Sequence, residues 1–379
     1  MRVGVIIRGL ALSGAAALTL SLTALPASGA TSPSWRVVTN VATTTAAGGW
    51  TTRFAVTGAG DAWSAWTARD STGAGTGFVV QRWTGKNWVS ANVSASQTPL
   101  GEASVALAAG SRTDAWIIDP PNSKFARVLR WNGSKWVAWA IPPWALIWNE
   151  SDVYRTVPVI FGPRDVWIFN LGPGGQGMRA ARYNGSKWTV QDYAGIPNQV
   201  SIDSRTDIWA LGTTFKRVTR TTTAYGLMRW NGRRWLTIQF STAQLPGQDY
   251  VKFLVAVGPK DVWVSVDAPG PVTQHLLHWD GRSLTQAAIP AQIQTVYGMT
   301  KDGHGGFWVY GTGPAPSKTW YFADRNGSKW TVQSVPADDG LAASAVTGIN
   351  WIPGTRSVWA TAEYPGSEGT IGAILKFGP

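Results

Sequence analysis

Hydrophobic positions along this chain fall in short runs, such as Ile208-Trp-Ala-Leu211 and Val262-Trp-Val-Ser-Val266, separated by clusters of Gly, Pro, Asn, Asp and Ser. Short apolar runs bounded by turn formers predict β-strands. The runs are apolar at consecutive rather than alternate positions, as expected of strands covered on both faces. The one stretch of a different kind is the apolar segment from Gly9 to Leu25. Everything after it reads as strands and turns.

The runs recur in a fixed context. Asp61-Ala-Trp63, Asp114-Ala-Trp116, Asp165-Val-Trp167, Asp207-Ile-Trp209 and Asp261-Val-Trp263 share a D-x-W pattern, and Gly306-Phe-Trp308 and Ser357-Val-Trp359 are degenerate copies. Successive tryptophans in this set are 53, 51, 42, 54, 45 and 51 residues apart. A second motif follows each of the first six by about twenty residues, for example Arg82-Trp-Thr-Gly-Lys-Asn-Trp88, Arg130-Trp-Asn-Gly-Ser-Lys-Trp136 and Arg229-Trp-Asn-Gly-Arg-Arg-Trp235. Asn-Gly between two β-prone runs marks a hairpin, because both residues tolerate positive φ. Four strands per unit result; in the fifth they are predicted at 253–257, 262–266, 275–279 and 284–288, with the motif aspartate placed to accept from turn amides. Seven four-stranded units at this period predict an all-β, seven-bladed β-propeller.

The ends support a closed ring. The seventh unit stops at its third strand, Ala373-Ile-Leu-Lys-Phe377, and the segment Ser34-Trp35-Arg-Val-Val38 matches the fourth-strand pattern Lys329-Trp-Thr-Val-Gln333. The N-terminal strand is therefore expected to complete the last blade, which removes exposed sheet edges.

The D-V-W and R-W-N-G-x-x-W motifs resemble the repeats of secreted bacterial β-propellers of the kelch and tectonin type, over essentially all of residues 34–379. The resemblance implies the propeller architecture, and its tectonin-like side implies a glycan ligand. It implies no activity, because propellers host enzymes, lectins and scaffolds alike.

The start of the chain changes where this domain is expected to work. Arg2 and Arg8, the apolar Gly9 to Leu25 and the small residues Pro26-Ala-Ser-Gly-Ala30 predict a secretory signal peptide over residues 1–30. Residues 31–379 then form a single propeller domain, secreted by Gram-positive-type export and without an integral membrane segment once the signal is removed. The chain has no cysteine, which excludes disulfides, thiolate metal sites and a cysteine nucleophile. Without Arg2 and Arg8, 31 Lys and Arg face 21 Asp and Glu, a net charge of +10. That balance favours anionic partners.

Candidate chemistry is sparse. Glycosidases need two carboxylates flanking the scissile bond, and the four glutamates, Glu102, Glu150, Glu363 and Glu368, show no pairing. The three histidines, His275, His278 and His304, are not spaced as local metal ligands. No metal, no other cofactor and no nucleic-acid partner is expected. Most of the 24 tryptophans sit at repeat positions and are assigned to packing between blades. The exceptions lie in the long connection of units two and three, where Trp144, Trp148 and Tyr154 are candidate ligand-binding residues. The same segment, 142–156, reads equally well as a plug over the ring.

Basic residues fall in register as well. Lys86, Lys135, Lys187, Arg233 and Lys329 occupy the turns between third and fourth strands, and Arg112, Arg164, Arg205, Lys260 and Arg356 those between first and second strands. In a four-stranded meander both turns lie on one side of the disc, so a basic face is predicted opposite the face of long loops. The expected function is non-catalytic recognition of an extracellular or cell-envelope glycan, or of a protein, through the long-loop face. An anionic polymer is a further candidate partner, and the protein is expected to be a monomer. A secreted hydrolase or lyase with carboxylates in the central funnel, and a structural interaction disc, remain alternatives.

Overall fold

Strands begin and end where the turn formers fall. A computed structural model of the protein describes residues 33–41, 47–69, 75–91, 93, 106–119, 127–139, 156–171, 178–193, 196–214, 224–240, 250–267, 274–316, 318–366 and 369–378. Among these residues are 28 strands and no helix, so none is long and apolar enough to cross a membrane. The strands pair into seven antiparallel sheets of four. Their first strands are Ala47–Gly58, Ala106–Ser111, Thr156–Gly162, Ile196–Ser204, Tyr250–Gly258, Thr295–Lys301 and Ala345–Trp351, which open blades 1 to 7 in order. First strands of neighbouring blades touch one another at most junctions and surround the axis, and the fourth strands form the rim. The seven-bladed propeller expected from the repeats is the observed architecture.

One cross-strand register recurs in every blade. The motif tryptophan at the start of the second strand lies opposite a third-strand residue: Trp63 faces Arg82, Trp116 faces Arg130, Trp167 faces Arg182, Trp209 faces Arg229 and Trp263 faces His278. Two residues before each tryptophan, on the same sheet face, stands the motif aspartate, a diagonal neighbour of that basic group. Arg130, Arg182 and Arg229 donate from Nε to Asp114, Asp165 and Asp207 at 2.8, 3.1 and 2.6 Å. Their guanidinium groups lie 5.5, 4.9 and 5.3 Å from the centroids of the facing indoles. In blade 5, where Asp261 was expected to accept from turn amides, its Oδ1 accepts from Nε1 of Trp263 at 2.7 Å and lies 2.8 Å from Nε2 of His278. In blades 2, 3 and 4 the aspartate turns along the sheet to the arginine, where a charge-assisted bond is stronger. The two motifs are thus one device, an Asp–Arg–Trp cluster that fixes strands two and three.

Blade 6 inverts the device. Asp324 faces Trp308 where other blades place Arg, His or Lys, and Asp302 accepts from the amides of His304 and Gly306 at 2.6 and 2.9 Å.

The hairpins expected at Asn-Gly are present, but only the glycine takes positive φ. Trp131 pairs with Trp136, which leaves Asn132–Lys135 as a four-residue loop. Asn132 Oδ1 accepts from the amides of Ser134 and Lys135, both at 3.0 Å, and Gly133 alone adopts positive φ, at 102°. Asparagine acts here as a side-chain cap on the loop amides rather than as a left-handed residue.

The core is divided. Seven hydrophobic clusters are present among the described residues, one at each interface between consecutive blades. Every D-x-W-position tryptophan belongs to one of them and is buried, from Trp63 to Trp359. The ring closes as the sequence implies, with Trp35 paired to Phe377 and the N-terminal strand Trp35–Val41 hydrogen-bonded beside Gly369–Phe377. Trp35 enters the wedge between blades 6 and 7, stacked on Phe322 at 3.9 Å and edge-on to Trp308 at 5.4 Å.

Candidate functional site

The first strands that surround the axis carry no motif, yet five of them share an irregularity. Register shifts fall between Thr51 and Arg53, Pro197 and Gln199, Val251 and Phe253, Val296 and Gly298, and Val346 and Gly348. The extra residue, Thr52, Asn198, Lys252, Tyr297 or Thr347, stands three positions before the partner of its blade's motif tryptophan in each case. A bulge takes one residue out of the alternation of the ladder and re-aims its side chain. Five bulges at one level therefore ring the channel on its long-loop side.

At that level lies an axial cavity of about 280 Å³, walled by residues of blades 1, 4, 5, 6 and 7 that include Phe54, Gln199, Phe253, Tyr297, Met299 and Thr347. Its width comes from two glycines. Gly298 and Gly348 follow the bulges of blades 6 and 7, where blades 4 and 5 place Gln199 and Phe253. A Cβ on Gly298 would stand 2.3 Å from Cε1 of Tyr310, so only glycine lets that ring lie against the channel wall. Gly348 gives Thr361 similar room, with a Cβ there 3.1 Å from Oγ1.

The cavity combines aromatic and neutral polar groups. Tyr297 is 44% exposed, a high value for its size, and stands 5.0 Å from the ring of Trp320. Trp320 is held by a bond from Nε1 to the carbonyl of Ser344 at 3.1 Å, which ties the long-loop ends of blades 6 and 7 together. Thr347 and Thr361 share a hydroxyl–hydroxyl bond of 2.8 Å. Burial pushes the Tyr310 phenol up to about 12, so it stays a neutral hydroxyl. None of the described lining residues carries a charge. Lys252, beside Phe253, is ion-paired with Asp267.

Below the cavity, towards the tight turns, the channel is crossed. Lys301 of blade 6 reaches past blade 5 to the carbonyl of Ile202 and Oδ1 of Asp203 in blade 4, both at 3.4 Å. Its ammonium also lies 4.7 Å from the ring centroid of Trp351 in blade 7. Residues of blades 4, 6 and 7 thereby meet at one side chain.

Glu363 is the carboxylate nearest this region in the sequence. It lies two residues beyond Thr361 on the same strand face, 8% exposed, and its Oε1 has no hydrogen-bond partner. Loss of hydration raises its pKa. Among the described residues no group of three or more His, Asp or Glu side chains is placed to hold a metal ion.

The residues singled out in the sequence divide between two places. Trp144, Trp148 and Tyr154 lie outside the described residues. The basic ten, Lys86, Arg112, Lys135, Arg164, Lys187, Arg205, Arg233, Lys260, Lys329 and Arg356, are all exposed. The two turns of a blade sit side by side: a Cβ on Gly185 would stand 2.8 Å from Cβ of Arg164, and one on Gly281 would stand 2.6 Å from Cγ of Lys260. Arg205 also ties two blades, with Nε 3.3 Å from Asp165 and Nη2 donating to the carbonyl of Phe161 at 3.2 Å. Sequence reasoning missed the axial cavity. Its signal was there once the first strands are aligned on the tryptophan register, as Tyr297-Gly298 and Thr347-Gly348 against Asn198-Gln199 and Lys252-Phe253.

No protein-family model matches the chain, and no curated protein matches it in sequence. Solved structures do. The polysaccharide lyase Uly1 is similar with a TM-score of 0.54 and 10% identity, over 83% of this chain and 88% of its own. The β-propeller domain of the Trilobed protease from Pyrococcus furiosus has a TM-score of 0.54 and 7% identity, over 87% of this chain and 93% of its own. The fucose-specific lectin from Aleuria aurantia has a TM-score of 0.47 and 13% identity, over 76% of this chain and 96% of its own. At such identities the likeness is one of fold, and what it adds is the β-propeller alone.

Proposed function

We propose that this protein is an exported, non-catalytic binding module that recognises an extracellular or cell-envelope glycan through the long-loop face of the propeller, like the kelch- and tectonin-type propellers its repeats resemble. The observation that carries the reading is the axial cavity, with an exposed aromatic ring at its rim and hydroxyls and amides in its wall. Sugars offer apolar ring faces and many neutral hydroxyls, which aromatic stacking and amide or hydroxyl groups satisfy. The fold itself does not choose between binding and processing, since similar propellers serve as a lyase, a protease domain and a lectin. Trp144, Trp148 and Tyr154 extend the same face in this proposal. The basic turns on the other face hold the protein, a monomer, to anionic polymer of the envelope.

A glycan array probed with the secreted protein tests this reading, alongside its Tyr297→Ala variant. The parent binds at least one glycan, and the variant binds about tenfold more weakly, the equivalent of one lost stacking contact, with an unchanged melting temperature. An array without a binder, or a variant that binds like the parent, refutes it. The second reading, hydrolysis, is favoured by Glu363, whose raised pKa suits a general acid. It requires that glycans bound on the array be cleaved by the parent and left intact by Glu363→Gln.

A further inference from the structure

We infer that the axial cavity takes the uncharged end residue of a glycan, inserted along the propeller axis, rather than an internal stretch of chain or an acidic sugar. The inference rests on reading the channel as a glycan site and adds how the glycan enters and which residue it presents.

The first ground is that the cavity is narrowed at its far end. Lys301, anchored on Asp203 and the carbonyl of Ile202 and lying over Trp351, links blades 4, 6 and 7 on the tight-turn side. Entry in this proposal is from the long-loop face, and the glycan ends above this bridge. A linear polysaccharide lying across the face would meet the rim ring of Tyr297 and leave the cavity below it unfilled.

The second ground is size. A volume of about 280 Å³ stands at the small end of ligand pockets, which span roughly 300–1,000 Å³. It has room for one sugar ring, with the next residue of the chain at the level of Tyr297 and Trp320.

Charge supplies the third ground. The polar groups of the described wall are Gln199, Asn350, Thr347, Thr361, Tyr297 and Tyr310, all neutral and all able to donate. The two lysines close to the channel are committed, Lys252 to Asp267 and Lys301 to Asp203. Among the described side chains a sugar carboxylate would find no free cation in this cavity to offset its lost hydration, which is unfavourable. A neutral pyranose loses only hydroxyl–water bonds that the wall can replace.

The test uses methyl glycosides, each a single ring whose anomeric position carries a small cap. Neutral hexose, 6-deoxyhexose and N-acetylhexosamine methyl glycosides are compared with methyl glucuronide and methyl galacturonide by saturation-transfer NMR and calorimetry on the secreted protein. At least one neutral glycoside binds, and the uronides bind at least about tenfold more weakly. Thr347→Trp, which fills the cavity from an exposed bulge, and Gln199→Leu, which removes an amide and adds no bulk, both weaken the neutral glycoside by about tenfold or more and keep the parent melting temperature. Uronides that bind as well as neutral glycosides overturn the inference, and so does full binding by both variants. Polysaccharides bound on the array whose single-residue methyl glycosides do not bind show an internal-chain site: the glycan reading then stands and the end-on inference falls. An array with no binder removes the glycan reading itself.

Discussion

Replacing Trp35 with alanine tests the closure of the ring. The indole is 6% exposed, stacked on Phe322 and edge-on to Trp308, with Phe377 at 5.7 Å. A buried tryptophan removes up to ~250 Å² from water, worth about 5 kcal/mol at ~25 cal/mol per Å² with part retained by the alanine methyl. Truncations of this kind cost about 3–5 kcal/mol, so a loss near 4 kcal/mol is expected. Its Nε1 has no hydrogen-bond partner, so no buried acceptor is orphaned and the effect is one of packing. Urea unfolding of the parent and of Trp35→Ala gives the magnitude. Amide exchange gives the place: it should speed up first in 35–41, whose one sheet partner is 369–377, and less in 371–377, which is also paired with Val358–Gly366. Trp330→Ala is the control, since that ring fills the corresponding position in blade 6, within a continuous hairpin. A loss below about 1 kcal/mol for Trp35→Ala, or faster exchange spread evenly round the ring, would show that closure does not depend on this side chain.

Two further outcomes follow from the blade clusters. Asp324 is pushed up to about 6 by burial and by the charge of Asp302. A carboxyl raised in the folded state stabilises the fold below its unfolded value near 3.8 and loses that contribution as pH rises through 6. Asp324→Asn should therefore be more stable than the parent at pH 7.5, by about 1 kcal/mol after allowance for solvent screening, and show no advantage at pH 4; urea midpoints at the two pH values decide, and an equal gain at both refutes the cause. Arg130→Met should cost about 3 kcal/mol by stranding the buried carboxylate of Asp114, and adding Asp114→Asn should restore part of it in a double-mutant cycle. Additive losses would show that the two groups are not coupled.

The fold was legible because its devices are local and repeated. The motif tryptophan, the aspartate two residues before it and the arginine facing it each leave a mark in the sequence, and so does the Asn-Gly loop. Even the closing strand announced itself, since Trp35 precedes the same β-prone pattern as Trp330. The detail of the motif aspartate was misread because its partner is set by the third-strand register, which turn chemistry does not reveal. The axial cavity was illegible for a related reason. Its residues come mainly from five first strands, with Tyr310 and Thr361 from second strands, and meet only when the ring is closed, and its width depends on glycines, which in a linear reading look like turn residues. The aromatic segment 142–156, by contrast, stands out from the repeat in one dimension.

The five bulges have a bearing on how such a protein acquires a new ligand. Tyr297, Thr347 and Lys252 belong to none of the seven wedge clusters, so these three bulge residues are not among those that hold blades together. An inserted residue can change size or charge while the ladder on either side keeps its register and its inward tryptophans. Positions 52, 198, 252, 297 and 347 thus form a small combinatorial set whose members can be exchanged one blade at a time. A library randomised at these five sites should retain most of its folded members, and its diversity should appear as altered selectivity of the channel.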